Sequence, residues 1–196
     1  MELGGLDAVT LDAFGTLVEL EDPVSRLQAR FGIDAGAAQR GLDAEMAYYR
    51  DHVLEGSNSA SLAGLRERCA AVFAEAAGAT SDAHGFQSCL VFTPLPGVAD
   101  ALRRLRAQGL ALAVVSNWDV SLHEHLRRLA LRFDAVVTSA EAGIRKPDPR
   151  IFALALERLR IPPERALHIG DDEIDEQAAE AAGLGFAYAP LMELLT

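Results

Sequence analysis

The sequence predicts an α/β fold, a Rossmann-like parallel sheet of about five strands interrupted by an inserted, all-helical unit. Three observations carry this. Short apolar runs alternate with amphipathic segments along most of the 196 residues, the rhythm of a parallel sheet whose crossovers are helices. That rhythm stops between about Pro23 and Cys89, where only helical patterns occur. A length of 196 residues suits one core domain carrying a smaller insertion.

The elements follow in order. Ala8-Val9-Thr10-Leu11 reads as a buried strand that ends at Asp12. Further strands are expected at Leu110 to Val115, Ala135 to Thr138, Ala166 to Ile169 and Gly185 to Ala189. Between them, helical spacing appears over Gly97 to Gln108, Val120 to Leu129, Pro149 to Leu159 and Asp175 to Ala182. A short terminal helix is expected over Leu191 to Leu195. Inside the interruption, turn-rich breaks at Gly32 to Gly36, Gly56 to Ser59 and Gly78 to Gly85 separate the helices. A helical insertion explains such a stretch better than a very long loop. The return through Thr93-Pro94-Leu95-Pro96-Gly97 reads as a stiff hinge. The organisation is therefore core over 1–20, helical cap over 21–91 and core again over 92–196.

Composition narrows the partners. Eighteen basic against twenty-nine acidic residues leave a net charge of −11, which repels nucleic acid and anionic membranes. A small anionic ligand would need a local positive focus. No apolar run approaches a bilayer-spanning length, and Met1-Glu2-Leu3-Gly4-Gly5 lacks the features of a signal peptide, so the cytoplasm is the expected compartment. Cys69 and Cys89 form neither a disulfide framework nor a metal spacing and are expected as reduced thiols. A monomer or a homodimer suits the chain.

In a parallel sheet, ligands bind beyond the carboxyl ends of the strands. The first strand delivers Asp12-Ala13-Phe14-Gly15-Thr16-Leu17 there, and the second Ser116-Asn117-Trp118-Asp119. The third leads into Arg145-Lys146-Pro147-Asp148-Pro149, and the fourth delivers Gly170-Asp171-Asp172-Glu173-Ile174-Asp175. Singly, each has a plainer reading: a turn aspartate, a helix cap, a loop lysine, a solvated helix start. Unrelated turns, however, have no reason to assemble a carboxylate, a hydroxyl, a lysine and an acidic cluster on one sheet edge.

These four segments, in this order, resemble the four motifs of the haloacid dehalogenase superfamily, and the sequence looks most like its small-cap branch with a helical cap. The resemblance implies a hydrolase in which Asp12 is the nucleophile attacking a small phosphorylated molecule, with Ser116 and Lys146 as its catalytic partners. A strand-end carboxylate is suited to form an acyl phosphate. The amides of Gly15 and Thr16, with Ser116, Asn117 and Lys146, would hold the transferred group, since phosphoryl transfer depends on positioning and electrostatics. Asp12 and Asp171 can share a Mg²⁺ ion. By resemblance, the Phe14 carbonyl and Asp175 complete the metal set, with Asp172 a weaker candidate outside it.

One position departs from the pattern. Typical phosphatases of the superfamily place a second aspartate two residues after the nucleophile as general acid and base, where this chain has Phe14. Such catalysis is worth roughly 10²–10⁴-fold. Dehalogenases often carry an aromatic residue there, because halide leaves without a proton. Metal-independent dehalogenases, however, typically lack the acidic start of the fourth motif, which Asp171 keeps. Three readings follow: a Mg²⁺-dependent phosphohydrolase, a 2-haloacid dehalogenase, and a catalytically weak protein that binds a phosphorylated ligand or a partner. Asp119, His123, His125, Tyr48 and His52 are the nameable substitute acids, each with a plainer role in capping, packing or solvation. Trp118 and Arg145 are candidates to border the cleft.

Overall fold

The structure is a computed structural model and describes residues 4–191. The expected Leu191 to Leu195 helix falls almost entirely outside the described residues. The chain divides into two compact units, residues 1–19 with 94–196, and residues 20–93.

The first unit is built on a five-stranded sheet of β1 (Ala8–Leu11), β4 (Ala111–Ser116), β5 (Ala135–Thr138), β6 (Ala166–Gly170) and β7 (Gly185–Tyr188). The spatial order is β5-β4-β1-β6-β7, with every pairing parallel. β1 is central, and the order reverses around it: the chain steps outward through β4 to β5, then returns to β6 on the opposite side. That reversal opens a crevice at the carboxyl ends of the strands. All four residues of β1 are buried, which explains its largely apolar sequence, since parallel strands are covered on both faces.

Crossover helices provide the cover. α8 (Arg150–Leu159) and α9 (Glu173–Ala181) bring Ile151, Phe152, Ala155, Ala178 and Ala179 into one core cluster with Ala113, Val115 and Val137 of the sheet. α5 (Val98–Ala107) packs on β4, and α6 (Leu122–Arg128) follows that strand. Two helix starts differ by two residues from those the periodicity indicates. α6 begins at Leu122 rather than Val120, because the Asp119 carboxylate accepts the Ser121 amide at 2.7 Å and keeps this stretch in a turn. α9 begins two residues early, at Glu173, because Asp172 caps it in a reciprocal box with Asp175. One short helix, α7 (Ser139–Ala142), was not apparent from the sequence.

The second unit contains α1 (Pro23–Phe31), α2 (Ala35–His52), α3 (Ser59–Ala77) and α4 (Ala83–Cys89). Asp22, Asp34, Asn58 and Asp82 cap their starts, each accepting a backbone amide in the first turn. Within this stretch no described residue joins the main sheet. The connections between the units run through β2 (Val18–Leu20) and β3 (Phe92–Pro94), which pair as a two-stranded sheet where the sequence suggested only a hinge.

The helical core gathers Leu27, Leu42, Phe73, Phe86 and Cys89. Both cysteines are buried, and neither forms a disulfide. Gly41 sits where α2 and α3 approach closely: a Cβ there would lie 2.6 Å from the Phe73 ring and 2.9 Å from the Ala77 methyl. Gly41→Ala should therefore lower stability by about 1–3 kcal/mol through overpacking, although alanine's better helix propensity offsets up to about 1 kcal/mol of that. Urea denaturation of both proteins measures the net loss.

Glu45 is also buried in this unit, with the Cys69 thiol as hydrogen-bond donor. Burial pushes its carboxyl up to about 7, against a smaller lowering by that hydrogen bond. An acid whose folded value is raised binds its proton more tightly in the folded state. Its contribution to stability is thus present below the unfolded value near 4.5 and lost as pH rises to about 7. Glu45→Gln should be more stable than the unaltered protein at pH 8, by up to ~3 kcal/mol. The difference should shrink toward pH 4.5, as thermal melts across that range would record.

Candidate active site

The crevice at the carboxyl end of β1 contains one buried ion cluster. Its centre is Lys146, on the loop between α7 and α8, with a side chain only 2% exposed. The ammonium donates to Asp12 Oδ1 at 2.6 Å and to the Val115 carbonyl at 3.0 Å, and also donates to Asp175 Oδ1. An ammonium has three protons, and all three are satisfied. Burial works to lower the Lys146 pKa, but the Asp12 and Asp175 charges outweigh it and hold the group above its ordinary value. Burial likewise acts to raise Asp175. The hydrogen bond from His168 and the Lys146 charge prevail, keeping that carboxyl well below the usual range.

Lys146 owes its position to Asn117, just past β4. The Asn117 amide group donates to the Lys146 carbonyl at 3.0 Å, and its oxygen accepts the Lys146 backbone N–H at 2.8 Å. Both polar ends of the Asn117 side chain are thus engaged by a loop that follows some thirty residues later.

One expectation is corrected at Gly15. Its amide does not point outward to a ligand, because it donates to the Val18 carbonyl at 2.9 Å and closes the tight loop after Asp12. Its lack of a side chain serves another purpose. A Cβ on Gly15 would lie 2.0 Å from an Asp171 carboxylate oxygen, and its φ of +80° is one that glycine tolerates. The Thr16 hydroxyl donates weakly to Asp171 Oδ1 at 3.4 Å. Among the described residues, neither the Thr16 amide nor the Ser116 hydroxyl has a hydrogen-bond partner. Ser116 ends β4 one strand away from Asp12.

Asp12, Asp171 and Asp175 each bring a carboxylate oxygen within 4.8 Å of the other two. Three carboxylates thus face one ammonium, so negative charge is in excess. Asp171 shows the consequence: partial burial, then the charges of Asp12 and Asp175, push its carboxyl up to about 6. An all-oxygen donor set of this kind fits a hard divalent cation such as Mg²⁺. Both Asp175 oxygens already accept hydrogen bonds, one from Lys146 and the other from the Asp172 amide. Asp12 and Asp171 are the members less committed to protein donors.

Phe14 is among the few large hydrophobic side chains left exposed, at 38%. The nearby candidates for a substitute acid are engaged elsewhere. Asp119 holds the turn before α6, and His123 pairs with Glu141 at 2.8 Å. The His125 ring lies beside buried Trp118, with centroids 5.9 Å apart. In the helical unit, Tyr48 and His52 do share a face, stacked at 3.9 Å, and the Tyr48 hydroxyl accepts from Arg68 at 3.0 Å. His168 escaped notice in the sequence. It lies inside a buried strand, and only the fold brings it next to Asp175.

A parallel α/β core with an inserted helical unit, and a lysine-clamped acidic centre at its strand ends, defines the class of protein. The haloacid dehalogenase-like hydrolase model matches residues 6–183, and the chain belongs to that hydrolase family. Haloacid dehalogenase-like hydrolase domain-containing protein 3 of Mus musculus is 44% identical over 102 residues, covering 50% of this chain and 41% of the relative. The glyceraldehyde 3-phosphate phosphatase of Methanopyrus kandleri is 41% identical over 95 residues, covering 46% of this chain and 41% of that one. These matches thus span well under two thirds of each relative. Among solved structures, L-2-haloacid dehalogenase from Xanthobacter autotrophicus superimposes with a TM-score of 0.73 at 25% identity, over 94% of this chain and 77% of the other. Among the described residues no helix is long and apolar enough to cross a membrane.

Removing the clamp should be costly. Lys146→Met would leave Asp12 and Asp175 buried and facing each other, a loss of about 3–5 kcal/mol at neutral pH. The loss should diminish in acid, where the carboxylates can take up protons. Urea denaturation at pH 7 and pH 5 tests both the size and the direction.

Proposed function

We propose that the chain is a Mg²⁺-dependent phosphohydrolase acting on a small phosphorylated molecule, with Asp12 as nucleophile. The observation that carries this reading is the surplus of carboxylate at the strand ends, which a cation would relieve. Asp12 and Asp171, with the backbone carbonyl of Phe14, would hold the ion, and Asp175 would support it by fixing Lys146. When bound, the ion would offset repulsion between an attacking carboxylate and an anionic substrate. A phosphatase relative and an acidic centre point the same way.

The chemistry of the chain's own residues then runs as follows. Lys146 holds Asp12 Oδ1, leaving Oδ2 to attack phosphorus. The P–O bond to the leaving group breaks as the O–P bond to Asp12 forms, giving a phosphoaspartate. The Ser116 hydroxyl and the Thr16 amide, both without protein partners, would hold the phosphoryl oxygens, and Lys146 neutralises developing charge. Water then cleaves the phosphoaspartate, releasing phosphate and restoring Asp12.

Phe14 shapes the substrate class. With Asp119 and His123 engaged elsewhere, and Asp171 committed to the ion, the described residues of the core leave no free acid beside Asp12 to protonate a departing alkoxide. Substrates with good leaving groups, such as acyl or aryl phosphates, are favoured. A second reading, 2-haloacid dehalogenase, is supported by the same residue, since halide needs no proton, and by likeness to the Xanthobacter autotrophicus enzyme.

Asp171→Asn should abolish Mg²⁺ binding in a calorimetric titration while leaving thermal stability unchanged or slightly higher, because it removes a like charge. Turnover of aryl phosphates should require Mg²⁺ and vanish in Asp12→Asn; turnover of 2-haloalkanoates without metal would instead favour the second reading. The kcat/KM of the unaltered protein should fall steeply as leaving-group pKa rises across aryl and alkyl phosphates. Phe14→Asp should flatten that dependence by restoring an acid worth roughly 10²–10⁴-fold. A shallow dependence in the unaltered protein would show that another group already donates the proton.

A further inference from the structure

His168 lies at the centre of β6, fully buried. Buried histidines often do no more than fill a core, and the Phe152 ring, steeply inclined to the imidazole with centroids 4.7 Å apart, fits that role. Its two nitrogens have particular neighbours, however. Nδ1 lies 2.9 Å from the hydroxyl of Thr10 on β1, itself fully buried. Nε2 lies 3.5 Å from Asp175 Oδ1, the oxygen that also accepts from Lys146. A connected path therefore runs from Thr10 through His168, Asp175 and Lys146 to Asp12 Oδ1.

We propose that His168 is a positioning residue, a neutral imidazole whose Nε2–H donates to Asp175 and thereby sets the carboxylate that aims Lys146 at Asp12. The tautomer follows from both ends of the ring. A lone pair on Nε2 would face a carboxylate, whereas an N–H there completes a hydrogen bond. Nδ1 is then an acceptor, and the Thr10 hydroxyl donates to it; the alternative acceptor for that hydroxyl, the Leu167 carbonyl, is farther away at 3.5 Å. Asp175 is held from the other side as well. Its Oδ2 accepts the Asp172 amide, and its carboxyl carbon lies within 2.5 Å of where a Cβ on Gly170 would sit. With Gly170 and Asp172 limiting one side of the carboxylate and His168 the other, Asp175 has little freedom to rotate. Lys146, bound to it, inherits that order. The effect on turnover rests on the hydrolase reading above; the effect on the lysine does not.

The test separates the two. Long-range ¹H–¹⁵N correlation spectra of the full chain should show His168 as a neutral ring protonated on Nε2. The Lys146 ¹⁵Nζ resonance reports the state of its three hydrogen bonds. It should be displaced in His168→Phe and His168→Asn, neither of which places a donor near Asp175. It should return toward its original position in His168→Gln, whose amide nitrogen reaches the site of Nε2. With p-nitrophenyl phosphate and Mg²⁺, kcat per folded molecule should fall about tenfold in the Phe and Asn variants, with KM little changed and Gln restoring most of it. If His168→Phe does not fold, the Asn and Gln pair carries the comparison. An Nδ1–H tautomer or an imidazolium would overturn the proposal. So would a Lys146 resonance and kcat indifferent to the Phe and Asn changes, which would leave His168 as core filling. Absence of turnover in the unaltered protein would instead refute the phosphohydrolase reading, and the Lys146 resonance would then decide the positioning role alone.

Discussion

The Lys146 ammonium lies where three segments distant in sequence meet, and its need for three acceptors organises them. It accepts no compromise in geometry, since a buried ammonium with an unmet proton is costly. The Val115 carbonyl supplies one acceptor from β4, Asp12 a second from the end of β1, and Asp175 the third from α9. A buried pair of this kind is weak evidence for stability, because desolvation opposes the attraction. Its value here is positional. It holds Asp12 by one oxygen and leaves the other available for chemistry.

Around this junction, small residues allow acidic ones to come close. Gly15 and Gly170 each leave room that an aspartate occupies, Asp171 against the first and Asp175 against the second. Such crowding concentrates negative charge beyond what one lysine neutralises, and the raised Asp171 carboxyl registers the imbalance. The overall charge of −11 makes this local arrangement the more significant. Under the proposed phosphohydrolase reading, an anionic substrate repelled at long range would be drawn in by Lys146, a cation and unpaired donors acting over a few ångströms.

The helical unit obeys different physics. It carries no comparable ion cluster among its described residues, and its core is apolar apart from Glu45 beside Cys69. Its helices are set by caps at Asp22, Asp34, Asn58 and Asp82, and by the close approach at Gly41. A raised Glu45 carboxyl makes this unit sensitive to pH near neutrality, independently of the acidic centre in the sheet.

The sequence by itself determined the five main strands and most of the helices, though not α7, the β2–β3 pairing or the starts of α6 and α9. A short, mostly apolar run such as Ala8 to Leu11 has few outcomes besides a buried parallel strand, and the turn-rich breaks between Pro23 and Cys89 separate four helices because capping is local. The same locality made Asp12, Ser116, Lys146 and Asp171 legible as a set, since strand ends in a parallel sheet share one edge. What the tertiary structure alone decided is where each polar atom goes. The Gly15 amide looks available for a ligand until the fold supplies the Val18 carbonyl, and the Asn117 side chain looks like a helix cap until the Lys146 backbone engages both its ends. His168 looks like one more strand residue until β6 and α9 bring it against Asp175. Hydrogen-bond partners are chosen by three-dimensional proximity, whether the partner lies three residues away or thirty, and no periodicity or motif spacing encodes that choice.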